Sequence, residues 1–289
     1  MNISSLPVAA PHNVREHRAT RCIFFVAGLG MASWAPLIPF ARSRLGIDDG
    51  TLGLLLLCIA AGSMLLMPFA GRLIARFGCR ALILACAAAF CVDLPWMMSA
   101  GSPLEMGAAL LLFGAANGLL DVSMNAQAVV VERESGQARM SGFHGLYSIG
   151  SIAGAGGVSA LLWLGLEPLQ AIWLVVTLIA VVVGLVSAGL LPARVPEGTR
   201  GQGGTLKALA HPRILLIALL CFFIFLIEGA MLDWSAVFLH GERGMEKSHA
   251  GIGFTLYSIA VALGRLYGDR IVNAIGGAGV LTLGSLGAA

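Results

Sequence analysis

Long apolar runs separated by short polar stretches make up most of this chain. A helix needs about 20 predominantly apolar residues to cross a bilayer. Runs of that length fall at roughly 21–41, 51–72, 80–100, 104–131, 141–164, 168–191, 213–239 and 249–270, and each predicts a transmembrane helix. Residues 278–289, "AGVLTLGSLGAA", begin a ninth apolar run too short to cross. The pattern therefore predicts an all-α polytopic membrane bundle with about eight full spans and a partial ninth.

Composition fixes the solvent. Hydrophobic residues make up 58% of the 289 positions and charged residues 11%, and the mean hydropathy is +0.88, far from an ordinary soluble domain. The polar, basic start "MNISSLPVAAPHNVREHRATR" has no short apolar core with a cleavage site, so no signal peptide is expected. The cysteines at 22, 58, 79, 86, 91 and 221 lie mostly inside spans, without metal-binding spacing, and read as small buried hydrophobes. No metal and no cofactor is expected.

Charge sets the orientation. With the N-terminus in the cytoplasm and alternating spans, fourteen of the eighteen Lys and Arg face the cytoplasm, leaving Arg42, Arg44, Arg243 and Lys247 outside. That bias is the positive-inside pattern, and it predicts a cytoplasmic N-terminus. The net charge of +3 is a topology signal, and no nucleic-acid surface is evident.

An internal repeat organises the spans. "MASWAPLIPF…TLGLLLL…GRLIARFG" lies on "MLDWSAVFL…GIGFTLY…GDRIVNAIG", pairing Trp34 with Trp234, Gly53 with Gly253, Arg72 with Arg270 and Gly78 with Gly276. The nearly constant offset is about six spans, so spans 1–2 and 7–8 are corresponding pieces of two halves. The expected organisation is a cytoplasmic tail over 1–20, a six-helix half over 21–191, a Gly/Pro/basic cytoplasmic linker over 192–212 and an incomplete second half over 213–289.

"GRLIARFGCR" after span 2 resembles the signature loop of the major facilitator superfamily, G-x-x-x-D-R-x-G-R-R. Gly71, Arg72, Arg76, Gly78 and Arg80 stand in its frame, with Ala75 in place of the acid. The second copy, "GRLYGDRIVNAIG", keeps Gly264, Arg265, Gly268, Asp269 and Arg270. Within the superfamily, "MASWAP", "DVSMNAQAVVVER", "FHGLYSIGSIAGAG" and "EGAMLDW" resemble the fucose-permease-like group and its inner-membrane branch. The resemblance implies twelve spans, a place in the cytoplasmic (inner) membrane, a gating role for these loop residues and alternating access. Against it, the chain is expected to be a fragment or a decayed form, transport-dead by itself.

Polar residues inside the spans are the candidate chemistry. A carboxylate at bilayer depth costs about 2.5–3.5 kcal/mol on insertion scales, so it normally faces a bundle interior or wet cavity. Asn117, Asp121 and Asn125 recur every fourth residue and share one helix face; that face either lines a cavity or glues helices together. Glu228 lies about 21 Å along its helix from Ile214 and is the second candidate acid. In the fucose-permease-like group a carboxylate in the frame of Asp121 takes part in proton coupling, so the resemblance implies that role for Asp121, with Glu228 beside it.

Solute contacts are expected from Asn117, Asn125, His144, Tyr147, Trp34, Asp233 and Trp234. Ser141, His144, Ser148 and Ser151 form a polar stripe on span 5, whose glycines at 142, 145, 150, 154, 156 and 157 permit close helix approach. The two tryptophans either cap a cavity or merely pack, and Asp233, nearer the outer end of its span, has an interfacial role as its alternative. Asp93, two residues before Pro95, reads as a solvated acid at a kinked helix end.

No catalytic grouping is apparent and the loops are too short for an enzymatic domain. The sequence thus predicts a non-enzymatic, monomeric secondary transporter in the lipid bilayer, moving a small polar solute such as a sugar with protons. Efflux of amphipathic compounds and a non-transporting membrane sensor are the alternatives.

Overall fold

The computed structural model describes residues 12–136, 139–192 and 212–288. Every regular element among them is helical. Six helical stretches among the described residues are long and apolar enough to cross a membrane. The predicted linker over 192–212 lies almost wholly outside the described residues.

The first apolar run forms three pieces: α1 (His12–Ala32), a short 3-10 turn (Ala35–Leu37) and α2 (Ile38–Leu45). Pro36 and Pro39 lack the N–H that an uninterrupted helix needs there. The Ser33 hydroxyl donates to the Leu29 carbonyl at 2.6 Å, within the last turns of α1. At its other end α1 begins at His12, so the helix runs nine residues into the stretch read as a tail.

The second and third runs join into one 51-residue helical stretch, Asp49–Ser99. It comprises α3 (Asp49–Leu66), a 3-10 turn at Met67–Phe69 and α4 (Ala70–Ser99). A straight helix of that length would extend about 77 Å at 1.5 Å per residue, more than twice the roughly 30 Å hydrocarbon core. The chain instead turns back at Gly78, whose φ of 80° and ψ of 161° break the helix. Glycine is nearly alone in tolerating that region.

Helix α5 (Pro103–Ser135) starts on the Ser102 hydroxyl, which accepts from Glu105 N, has Pro103 in its first turn, and ends on left-handed Gly136. Helix α6 (Met140–Trp163) follows, capped by the Glu132 carboxylate, which accepts from Arg139 N at 2.6 Å and Met140 N at 2.8 Å. Helix α7 (Pro168–Val186) opens with a reciprocal capping box between Glu167 and Gln170. Beyond the linker come α8 (Pro212–Gly241), short α9 (Lys247–Ala250) and α10 (Ile252–Ala288), the last broken at Gly276.

Helix α1 packs along α6, α3 along α5, and α4 against both α5 and α7. Glycine makes the tightest crossings possible. A Cβ at Gly28 would fall on the Tyr147 carbonyl and one at Gly150 on the Phe25 carbonyl, so α1 and α6 meet backbone to backbone. Gly62 and Gly114 do the same for α3 and α5. Of the span 5 glycines, Gly150 and Gly154 face α1 and Gly156 faces Thr255 of α10, whereas Gly142, Gly145 and Gly157 meet open space.

Helices α8 to α10 join the first six spans at one end of the bundle. Helix α8 packs on α2 and the 3-10 turn before it, α9 on α6, and α10 along α6. A Cβ at Gly53 of α3 would meet the ring of Trp234 of α8 at 3.6 Å. By contrast, Ile224, Phe225, Leu226 and Ile227 of α8 are exposed.

Candidate functional site

A cavity of about 530 Å³ lies between α1, α3, α5 and α6 on one side and α8 and α10 on the other. That volume is within the ordinary range for small-molecule sites. Its polar wall comes from the fourth-residue face of α5, where Asn117, Asp121 and Asn125 all line it, and from His144, Tyr147 and Ser151 of α6. Glu228 of α8 lines it from the opposite side. The structure thus brings together seven of the residues singled out in the sequence, with carboxylates from before and after the linker on one space.

Local bonding sets the wall's geometry. The Asn125 side-chain amide donates to the Asp121 backbone carbonyl at 2.9 Å and to the Asp121 carboxylate at 3.2 Å. His144, one helix over, is within electrostatic reach of that carboxylate, and its ring stands edge-on to Phe24 with centroids 5.2 Å apart. Ser148 and Ser151 donate back to the His144 and Tyr147 carbonyls, so these hydroxyls are satisfied within the helix. The sequence stripe on span 5 is therefore divided between intrahelical bonds and the cavity.

The apolar wall was not foreseen. Met31, Met67 and Met124 bring thioethers, and Phe225 and Phe254 bring rings. Such residues look like bilayer or core residues in sequence, and only the packing of six helices puts them on a shared space.

Other candidates lie elsewhere. Trp34 is 1% exposed inside the core rather than on the cavity wall, its indole N–H without a partner among the described residues. Trp234 is half-buried against α3, and Asp233 carries a buried carboxylate oxygen without a partner among the described residues; neither lines the cavity. Asp93 corrects the expectation of a solvated acid: it is 4% exposed, because α4 packs between α5 and α7 along that face.

The signature-loop residues lie on α4, away from the cavity. Gly78 makes the turn, Arg76 stacks over the Phe77 ring at 5.1 Å, and Arg80 N donates to the Leu191 carbonyl at 3.1 Å. Gly71 and Arg72 are exposed. Asp269 and Arg270 lie on α10, but their side chains are outside the described residues.

Near that same turn is a polar clasp that the sequence reading missed. Gln127, fully buried, donates to the Thr20 hydroxyl at 2.9 Å and accepts from Leu191 N at 3.2 Å. It ties α1 and α5 to the segment just past α7. A buried glutamine two positions off the Asn117–Asp121–Asn125 face was the available signal.

Residues 22–289 match the family model of the Major Facilitator Superfamily. The chain belongs to this superfamily. It is 53% identical over 282 residues to an uncharacterized MFS-type transporter of Yersinia pestis, covering 96% of this chain and 71% of that one. It is 31% identical to the membrane protein MosC of Rhizobium meliloti, covering 92% of this chain and 64% of the relative. Among solved structures it resembles a crystal structure of the nucleoside transporter NupG (D323A mutant), with a TM-score of 0.72 at 17% identity over 90% of this chain and 69% of that one. At that identity the likeness speaks for the fold. The chain is an integral membrane protein of a transporter family, not an enzyme.

Proposed function

We propose that this superfamily member is a secondary transporter that couples a proton to the movement of a small, polar, polyhydroxylated solute of the size of a sugar or nucleoside. One observation carries the reading: Asp121 and Glu228, on either side of the linker, line the same cavity. A carboxylate that exchanges a proton as two halves rock around a central site is the physical requirement for coupling. The amide, hydroxyl and imidazole of Asn117, Tyr147 and His144 supply hydrogen bonds to solute hydroxyls, and Phe225 and Phe254 supply apolar surface for a ring face. The nucleoside specificity named for NupG fits that division between polar and apolar walls.

The test is thermal stabilisation of the purified chain by a panel of hexoses, nucleosides and amphipathic amines, followed by flux in proteoliposomes under an imposed proton gradient. Stabilisation by hexoses or nucleosides, with accumulation that collapses on adding a protonophore, is expected. Stabilisation without flux would make the protein a sensor instead. The three methionines and two phenylalanines on the cavity favour a second reading, export of amphipathic compounds; stabilisation by the amines alone would select it.

A further inference from the structure

We infer that Asn125 is a positioning residue for Asp121 rather than a solute contact, aiming at its carboxylate a hydrogen bond that favours the ionised form. This rests on the proposed coupling role of Asp121, but it is testable separately. The amide of Asn125 donates to the Asp121 backbone carbonyl at 2.9 Å and to its carboxylate at 3.2 Å. Those contacts take up the donor capacity of the amide, and what Asn125 retains for the cavity is an acceptor.

The first of these bonds fixes the amide to the helix one turn back, so the second is aimed by the backbone rather than by a flexible partner. A hydrogen bond donated to the charged form favours that form over the neutral acid. In a cavity lined partly by thioethers and rings, an acid without such a donor would stay protonated over a wider pH range and release its proton less readily.

The remaining ionisable groups around this cavity are few. His144 and Tyr147 face it from α6 and Glu228 from α8, while among the described residues α1, α3 and α10 contribute no charged residue to its lining. His144 acts on Asp121 through space across a helix boundary. Asn125 acts through a direct bond within the same helix, so its effect should survive replacement of His144.

The experiment is a pH titration of the protonated-carboxyl infrared band of the whole chain in lipid nanodiscs. It needs no solute. The band that Asp121→Asn removes identifies the group. Asn125→Leu is expected to move the midpoint of that band to higher pH by about one unit, the equivalent of one charge-assisted hydrogen bond. Asn125→Gln, which keeps the amide, is expected to restore part of the shift, and Asn125→Leu in a His144→Phe background should shift it as much as in the parent. Circular dichroism checks that the helices persist. An unmoved midpoint in Asn125→Leu, or one restored by any residue of similar volume, overturns the inference. Failure of proton-driven flux with the infrared shift intact would instead overturn the transport reading and leave this one standing.

Discussion

Gly78 and Gly276, 198 positions apart in the two copies of the sequence repeat, adopt the same backbone conformation, φ 80° and ψ 161° in one and φ 75° and ψ 160° in the other. Each breaks what would otherwise be a continuous helix. The repeat is therefore conserved in the one feature a side chain could not supply, since residues with a Cβ essentially never occupy this region. Replacing Gly78 by Ala should destabilise the chain by about 1–3 kcal/mol. Gly71→Ala in the same loop should be neutral or slightly stabilising, because Gly71 is helical and a Cβ there meets nothing within 4 Å. Thermal unfolding in detergent separates the two; equal losses would mean that the loop is sensitive for reasons other than backbone conformation.

The same pair marks how much of the fold was legible. Run lengths alone located the apolar helices up to α8, with the second and third runs merged into one helical stretch, because lipid leaves a helix no alternative for its backbone groups. The predicted eighth run, 249–270, falls mostly on α10, which is not among the six stretches of spanning length and hydropathy found in the described residues. What the runs could not reveal were interruptions inside them, such as the Pro36 break in the first span. Its repeat partner differs: Trp234 sits within the uninterrupted α8, whereas Trp34 sits in the turn after α1. Similar residues at matching positions thus acquired different surroundings, and the tryptophan pair could not be placed from sequence. The acids and amides on α5 could, since a fourth-residue polar face in lipid must find either a cavity or a partner.

Asp121→Asn should abolish gradient-driven accumulation in proteoliposomes while solute-dependent thermal stabilisation survives, because the amide still hydrogen bonds but no longer titrates. Glu228→Gln is the companion. Loss of stabilisation and flux together at Glu228 would assign it to solute contact, and undiminished accumulation in Asp121→Asn would remove Asp121 from coupling.

The clasp at Gln127 is a stability element. Gln127→Leu leaves the Leu191 N–H without its acceptor in a buried place, a loss of about 1–3 kcal/mol. Thr20→Val removes a different bond and leaves Leu191 paired. Faster hydrogen exchange at the Leu191 amide in the first variant and not the second is the expected signature. The same rate in both would show that Gln127 does not hold that segment.

Glu132 gives the turn between α5 and α6 a pH dependence. The backbone N–H groups of Arg139 and then Met140 hold its carboxyl below the usual carboxylate range. A depressed folded-state value means that its contribution is fully present above the unfolded value, about 4.3, and is lost as the pH falls through the folded one. Protection of the first amides of α6 should therefore fall on acidification, and Glu132→Gln should flatten that dependence. A profile unchanged by the substitution would place the acid sensitivity elsewhere.

Helices α9 and α10 meet α6 and the turn after α1 at a close backbone approach. Gly251, between α9 and α10, lies so close to the Ser159 hydroxyl and the Pro36 ring that a Cβ there would come within 2.7 Å of Pro36 Cβ and 2.9 Å of its Cγ. A proline ring cannot swing aside as a long side chain can, and the Ser159 hydroxyl is already bonded to the Ala155 carbonyl at 2.7 Å. Gly251→Val should accordingly lever α9 and α10 away from α1 and α6 here, without altering any group on the cavity wall. In a cysteine-free background with Ser151→Cys as reporter, a membrane-impermeant maleimide added from the α2 side should label the cavity several-fold faster in Gly251→Val than in the parent. Gly157→Val is the matched control, since a Cβ at Gly157 meets open space, and its labelling rate should not change. If the two valine variants label alike, the contact at Gly251 does not limit access to the cavity.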